Sequence, residues 1–87
     1  MKVAVWDTYV TKKNGRLMHF DILAPDDITD IEKIHSYGKE YLATKGQGES
    51  ALTAKECNFC HIDKATAEIE ASINGKGYFI IEMEGCD

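Results

Sequence analysis

The N-terminal part of the sequence has the pattern of a β-hairpin. Two runs of β-prone residues, 2–11 and 16–24, flank the dipeptide Asn14-Gly15. Asn-Gly favours a two-residue type I′ turn, because both central positions of that turn need a positive φ. The sequence therefore predicts two antiparallel strands at the start of the chain, and their pairing depends on the length of the turn.

A two-residue turn determines which side chains share a face of the hairpin. It pairs Tyr9 with Phe20 and Asp7 with Ile22, so that Asp7 is the one polar side chain on an otherwise apolar face. A shift of one residue in the pairing would exchange the two faces. With the two-residue turn, the opposite face mixes polar and aromatic side chains and is the candidate binding face: Trp6, Thr8, His19 and Asp21.

The hairpin is followed by the pattern of a helix. Thr29 and Glu32 have the spacing of a capping box, which marks a helix N-terminus. Apolar residues recur at helical spacing from Ile28 to Leu42, and Gly46 is the expected C-terminal stop. These signals predict one helix after the second strand.

The rest of the chain predicts a strand, a helix and a last strand. Residues 53–62 fit a short strand, with the first turns of a second helix as the alternative. Asp63 is the expected N-cap of a helix over residues 64–74. The apolar run within 78–83 predicts an interior strand that is buried on both faces. The order ββαβαβ over residues 1–87 predicts a single α+β domain, a two-layer sandwich with a small mixed β-sheet.

A second group of chemically active residues forms the pattern C-x-x-C-H at Cys57, Cys60 and His61. Thiolates and imidazole suit Zn²⁺, and Cys86 is a candidate fourth ligand, with His19, His35 and Asp21 as alternatives. A regular strand would point Cys60 away from the other two, so the three side chains converge only in a turn. The sequence thus offers a candidate zinc site whose formation depends on local backbone geometry.

Three other interpretations of this motif stay open. C-x-x-C-H is the attachment pattern of c-type haem, although covalent haem is disfavoured because it is attached outside the cytoplasm and needs a helical surround. A redox dithiol needs the first cysteine at a helix N-terminus. Finally, both cysteines of the motif can be small buried residues without any chemistry.

Charge and composition restrict the partners. Ten basic and fifteen acidic residues give a net charge of -5, which argues against a general nucleic-acid binder. The sequence has no apolar run of membrane-spanning length, and a strand pattern begins where a signal peptide would lie. We therefore expect a cytoplasmic protein with reduced thiols and no membrane partner. An open sheet edge could pair with a second copy, which makes a homodimer a candidate assembly.

Four blocks of sequence, residues 3–10, 18–22, 56–61 and 77–86, together form a specific pattern that extends along the chain. In these blocks the sequence resembles a bacterial family known as domain of unknown function 2024. The resemblance implies a small stand-alone α+β protein and supplies no activity, substrate or cofactor. We expect a small binding or interaction module, with a zinc-binding or thiol-redox protein as the alternative. A hydrolase that uses His19 and Asp21 as an imidazole–carboxylate pair is a third hypothesis.

Overall fold

The computed structural model describes residues 1–50, 52–53 and 55–86. Its α+β class, its N-terminal hairpin and its ββαβαβ order are those predicted from the sequence. In the described part of the chain, no helix is long and apolar enough to cross a membrane. The elements are β1 (Lys2–Thr11), β2 (Leu17–Pro25), α1 (Ile31–Thr44), β3 (Cys57–Lys64), α2 (Ala67–Lys76) and β4 (Phe79–Glu84).

The four strands form one sheet in the order β3-β1-β2-β4, and every neighbouring pair is antiparallel. The prediction of a mixed sheet is therefore wrong. Strands β2 and β3 do run parallel, but β1 lies between them, so no parallel pair forms. Strand β4 lies at an edge of the sheet and its second half is exposed, although its apolar run predicted an interior strand.

The two helices cover opposite faces of the sheet. Helix α1 packs Ile34 and Leu42 on Phe20 of β2, and we call this side the α1 face. Helix α2 packs Ile73 on Val3 of β1, and we call the other side the α2 face. The layers are helix, sheet and helix, whereas two layers were predicted. The reason is that β1 and β2 carry apolar side chains on both faces, and each face needs its own cover.

The turn of the hairpin contains three residues instead of two. The Gly15 N–H donates to the Lys12 carbonyl at 2.9 Å, and the Lys12 N–H donates to the Arg16 carbonyl at 2.8 Å. Gly15 has a φ of 86°, whereas Asn14 has no positive φ and uses its side-chain oxygen to accept the Arg16 N–H. This is a type I turn followed by a left-handed glycine.

The third turn residue shifts the strand pairing by one position. Asp7 lies opposite Asp21, and Tyr9 lies opposite His19. The predicted pairs of Tyr9 with Phe20 and of Asp7 with Ile22 are therefore wrong. Because side chains alternate along a strand, the shift moves the side chains of one strand to the other face.

Each helix begins a little later than the sequence predicted. Asp30 is the N-cap of α1, where its side chain accepts the Glu32 N–H at 3.1 Å, and Thr29 precedes the cap. Thr66 is the N-cap of α2 in place of Asp63, because β3 continues to Lys64. The third strand predicted over 53–62 exists as β3, but it begins at Cys57 and ends at Lys64. Residues 53, 55 and 56 precede it in a bend and a turn, and position 54 lies outside the described residues.

Substitution of the observed N-cap of α1 and of the predicted one should cause different losses of stability. Asp30→Ala should lower the free energy of unfolding by about 1 kcal/mol, because it removes the acceptor of a helix N-terminal N–H. Thr29→Ala should lower it by less than about 0.5 kcal/mol. Urea denaturation of both variants measures the difference, and an equal loss in the two would contradict the observed cap.

Strands β3 and β4 are the two edges of the sheet. Seven of the eight residues of β3 are exposed, among them Phe59 and Ile62. β4 instead ends in exposed acidic residues, Glu82 and Glu84. Like charges would face each other if two β4 edges paired, so β3 is the better edge for self-association. Dimer formation through an edge stays a prediction.

Candidate functional site

The α2 face of the sheet has an apolar half and a polar half. Helix α2 packs on the apolar half, at Val3, Val5 and Leu23. Further along β1 and β2, the alternation of side chains brings polar residues to the same face. Three of them form a group that we call the Asp-His cluster: Asp7, His19 and Asp21.

The cluster is centred on one imidazole nitrogen. His19 Nε2 lies 3.0 Å from Asp7 Oδ1 and 3.8 Å from Asp21 Oδ1. Tyr9 stacks on the His19 ring with 4.1 Å between ring centroids and 11° between planes, which restricts the orientation of the imidazole. The two carboxylates face each other directly across the β1–β2 pair. The structure therefore holds one nitrogen and two oxygen atoms around a common point.

The two carboxylates have different environments. Asp21 is buried, with 7% of its surface exposed, and its Oδ1 has no hydrogen-bond partner among the described residues. Burial first, and then the neighbouring Asp7 carboxyl group, raise the pKa of Asp21 to about 6. The hydrogen bond with His19 first, and then the neighbouring Asp21 carboxyl group, hold the pKa of Asp7 below its usual value. Near neutral pH Asp21 is thus a buried carboxylate whose negative charge is only partly balanced by its neighbours.

The predicted binding face is divided between the two sides of the sheet. His19 and Asp21 share the α2 face, as expected, but Trp6 and Thr8 belong to the α1 face. Thr8 is fully buried, and its hydroxyl donates to the Trp6 carbonyl at 3.3 Å. Trp6 packs edge-to-face against Phe59, with 5.6 Å between the ring centroids. The one-residue register shift places Trp6 and Thr8 on the face opposite to His19 and Asp21. It brings Asp7 next to His19 instead.

The C-x-x-C-H motif lies on the edge strand β3 and contains a β-bulge. Val5 pairs with His61 and Trp6 pairs with Phe59, so Cys60 is the extra residue. Cys57 therefore belongs to the α1 face, where it is buried and accepts the Thr8 hydroxyl. His61 belongs to the α2 face. A regular strand would have kept Cys57 and His61 on the same side.

The four residues of the predicted zinc site lie in different surroundings. Cys60 is exposed, and its sulfur lies 3.2 Å from His61 Nδ1. Cys86 is buried, and its thiol donates to the His19 carbonyl at 3.3 Å. Within the described residues, the Asp-His cluster is the one group in which three potential ligand atoms lie within 4.8 Å of one another. The structure thus brings together two carboxylates and an imidazole, and does not bring together the cysteines.

The sequence and the fold were compared with known proteins. The family model described as "Domain of unknown function (DUF2024)" matches residues 1–83. No curated protein matches the chain. The chain is similar to the NMR structure of protein NE1680 from Nitrosomonas europaea, with 41% sequence identity, a TM-score of 0.85 and complete coverage, 100%, of both chains.

Proposed function

The chain belongs to the DUF2024 family, whose description names no activity, and we propose that it binds a divalent transition-metal ion, preferably Zn²⁺, at the Asp-His cluster. The observation that carries this proposal is the convergence of one carboxylate oxygen of Asp7, one ring nitrogen of His19 and one carboxylate oxygen of Asp21 within 4.8 Å of one another. This keeps the zinc-binding hypothesis from the sequence but assigns it to a different set of residues.

The distances from His19 to the two carboxylates are close to those between the ligands of one metal ion. Two ligand atoms at about 2.0–2.2 Å from a tetrahedral ion are roughly 3.3–3.6 Å apart. The distances from His19 Nε2 to Asp7 Oδ1 and to Asp21 Oδ1 are 3.0 and 3.8 Å, one slightly shorter and one slightly longer. Shifts of a few tenths of an ångström would bring each carboxylate to ligand distance from His19. The two carboxylates, whose ligand oxygens lie within 4.8 Å of each other, would complete a set of three ligands on one ion as they approach it.

The charges in the cluster also favour a divalent cation. Asp21 Oδ1 is buried and has no hydrogen-bond partner in the described part of the chain, and an ion would supply that partner and balance both carboxylates. Two oxygen atoms and one imidazole nitrogen suit Zn²⁺ and its transition-metal neighbours, whereas Mg²⁺ and Ca²⁺ prefer oxygen ligands alone. Three protein ligands leave at least one further position on the ion for water or another group.

The proposal predicts stoichiometric binding that depends on His19 and not on Cys60. Untagged wild-type protein should bind one Zn²⁺, and His19→Ala should weaken binding by on the order of 100-fold, because it removes the central ligand. Cys60→Ser is the control, because it changes the exposed thiol of the C-x-x-C-H motif and should leave the affinity unchanged. Isothermal titration calorimetry measures the stoichiometry and the dissociation constants.

Two other results would contradict this assignment. If the cluster is only an ion pair between His19 and Asp7, the wild-type protein takes up no stoichiometric Zn²⁺ and its melting temperature is the same with and without a chelator. If the ion is bound at the cysteine motif, Cys60→Ser loses the metal and His19→Ala keeps it.

We also propose that the protein resides in the cytoplasm. Support comes from the cysteines: Cys57, Cys60 and Cys86 are free thiols, and Cys60 is exposed to solvent. Exposed free thiols persist in a reducing compartment, whereas secreted proteins usually pair their cysteines. Cell fractionation tests the location, and recovery with the secreted proteins would contradict it.

A further inference from the structure

The edge strand β3 brings a second histidine to the face that carries the Asp-His cluster. His61 lies opposite Val5, and Asp7 is the next residue along β1 on the same face. His61 and Asp7 are thus diagonal neighbours across two adjacent strands. Side chains in that relation have Cβ atoms about 7–8 Å apart or less, which is within reach of a long or aromatic side chain. The bulge at Cys60 is what places His61 on this face.

The electrostatic influence of His61 extends over the cluster. Its charge lowers the pKa of Asp7 and that of Asp21, as a smaller contribution in both cases. Among the residues that face His61, Asp63 has Oδ2 at 3.8 Å from His61 Nε2, which is beyond hydrogen-bond distance. The His61 side chain is 54% exposed. Its ring can therefore turn without leaving a packed position.

We propose that His61 is the fourth protein ligand of the metal site, so that metal binding fastens the edge strand β3 to the β1–β2 hairpin. This inference rests on the proposed metal site at the Asp-His cluster. The His61 ring would turn from its present position near Asp63, so that His61 Nε2 binds the ion. The ligands would then be two carboxylates and two imidazoles from three neighbouring strands.

Metal binding should then stabilise the edge of the sheet. Among the residues that the structure describes, β3 is paired with β1 alone, and seven of its eight residues are exposed, so it can open locally more easily than the central strands. An ion held by Asp7, Asp21 and His61 would link β3 to both central strands. Occupancy of the metal site would in this way determine how readily β3 separates from β1.

The test is a Zn²⁺ titration of the wild-type protein, His61→Ala and Asp63→Ala. His61→Ala should weaken binding at least about tenfold and keep one ion per chain, since loss of even an outer partner of a ligand costs about 10–100-fold. Asp63→Ala is the control because Asp63 is exposed on the same face, two residues further along β3. It should change the affinity less than about threefold. Amide hydrogen exchange of β3 should slow at least about tenfold on saturation of the wild-type protein, and not in His61→Ala.

The possible outcomes separate this inference from the proposed function. If the wild-type protein and His61→Ala bind Zn²⁺ equally and the ring signals of His61 in NMR spectra do not move, the metal site stands and His61 is not a ligand. If the wild-type protein binds no Zn²⁺, both proposals are wrong. If His61→Ala is weaker, the His61 signals move and Asp63→Ala is unaffected, the fourth ligand is established.

Discussion

Gly85→Ala is expected to lower the free energy of unfolding by about 3 kcal/mol. Gly85 follows β4 with a φ of 67°, a backbone conformation that costs an L-residue about 1 kcal/mol or more. A Cβ at this position would lie far inside contact distance of the Leu17 carbonyl oxygen and 3.4 Å from the Met18 Cα. Because these are backbone atoms, a side-chain rotation cannot relieve the clash, and overpacking adds about 1–3 kcal/mol.

Gly15→Ala is the matched control for that loss. Gly15 also has a positive φ, 86°, but a Cβ there would meet no atom of the described residues within 4 Å. This variant should therefore lose only the conformational part, about 1 kcal/mol. Urea denaturation of both variants measures the two losses. Equal losses would show that β4 moves away from Leu17 at little cost, and the close approach would then have no energetic importance.

The order of the elements could be predicted because their patterns are long and local. The hairpin strands are nine and ten residues long, and α1 has fourteen residues with apolar side chains at helical spacing. The last strand was located within about one residue, Phe79–Glu84 against the predicted 78–83. Its position at an edge could not be inferred, because strand order depends on contacts between distant parts of the chain.

The site was predicted only in part, because it depends on a single turn residue. Asn14-Gly15 fits both a two-residue turn and the end of a three-residue turn, and the two differ in register by one position. β1 and β2 carry apolar residues on both faces. The sequence therefore lacks the alternation of apolar and polar residues that would have distinguished the two registers. One signal was present: in the two-residue register Asp7 pointed into an apolar face, and such an unpaired polar residue indicates a wrong register.

The separation of Cys57 from His61 could not be predicted from the motif. It results from the bulge at Cys60, which forms where β3 pairs with Val5 and Trp6 of β1. A bulge of this kind depends on the partner strand and has no signature within five residues. The C-x-x-C-H spacing therefore suggested one compact site, whereas the structure directs its first cysteine and its histidine to opposite faces.

Asp21→Asn is expected to raise the free energy of unfolding of the metal-free protein above pH 6. The pKa of Asp21 is about 6 in the folded state, against an ordinary value of 3.8. The folded state therefore binds this proton more tightly than the unfolded state. The resulting stabilisation is complete below pH 3.8 and is lost as the pH rises through 6. The rise of the Asp21 pKa from 3.8 to about 6 corresponds to about 3 kcal/mol, and solvent screening of the partly exposed Asp7 and His19 reduces the expected gain to about 2 kcal/mol.

The variant keeps the shape of the side chain and removes its charge. At pH 8, in the presence of a chelator, Asp21→Asn should be more stable than the wild type by about 2 kcal/mol. At pH 4 the two should differ little, because the wild-type carboxyl group is then largely protonated in the folded protein. Asp27→Asn makes the same change at an exposed position and should have no comparable effect. Urea denaturation at both pH values measures the differences, and a loss of stability at pH 8 would contradict the assigned environment.

A stabilising Asp21→Asn variant would also bear on function. A buried carboxylate that lowers the stability of the metal-free protein is expected where binding requires the charge. The same substitution removes a proposed ligand and should weaken Zn²⁺ binding, so one variant should gain stability and lose metal affinity. If Asp21 served only the packing of the sheet, the substitution would leave Zn²⁺ binding unchanged. Opposite effects of one substitution on stability and on affinity would therefore identify the Asp-His cluster as a binding site.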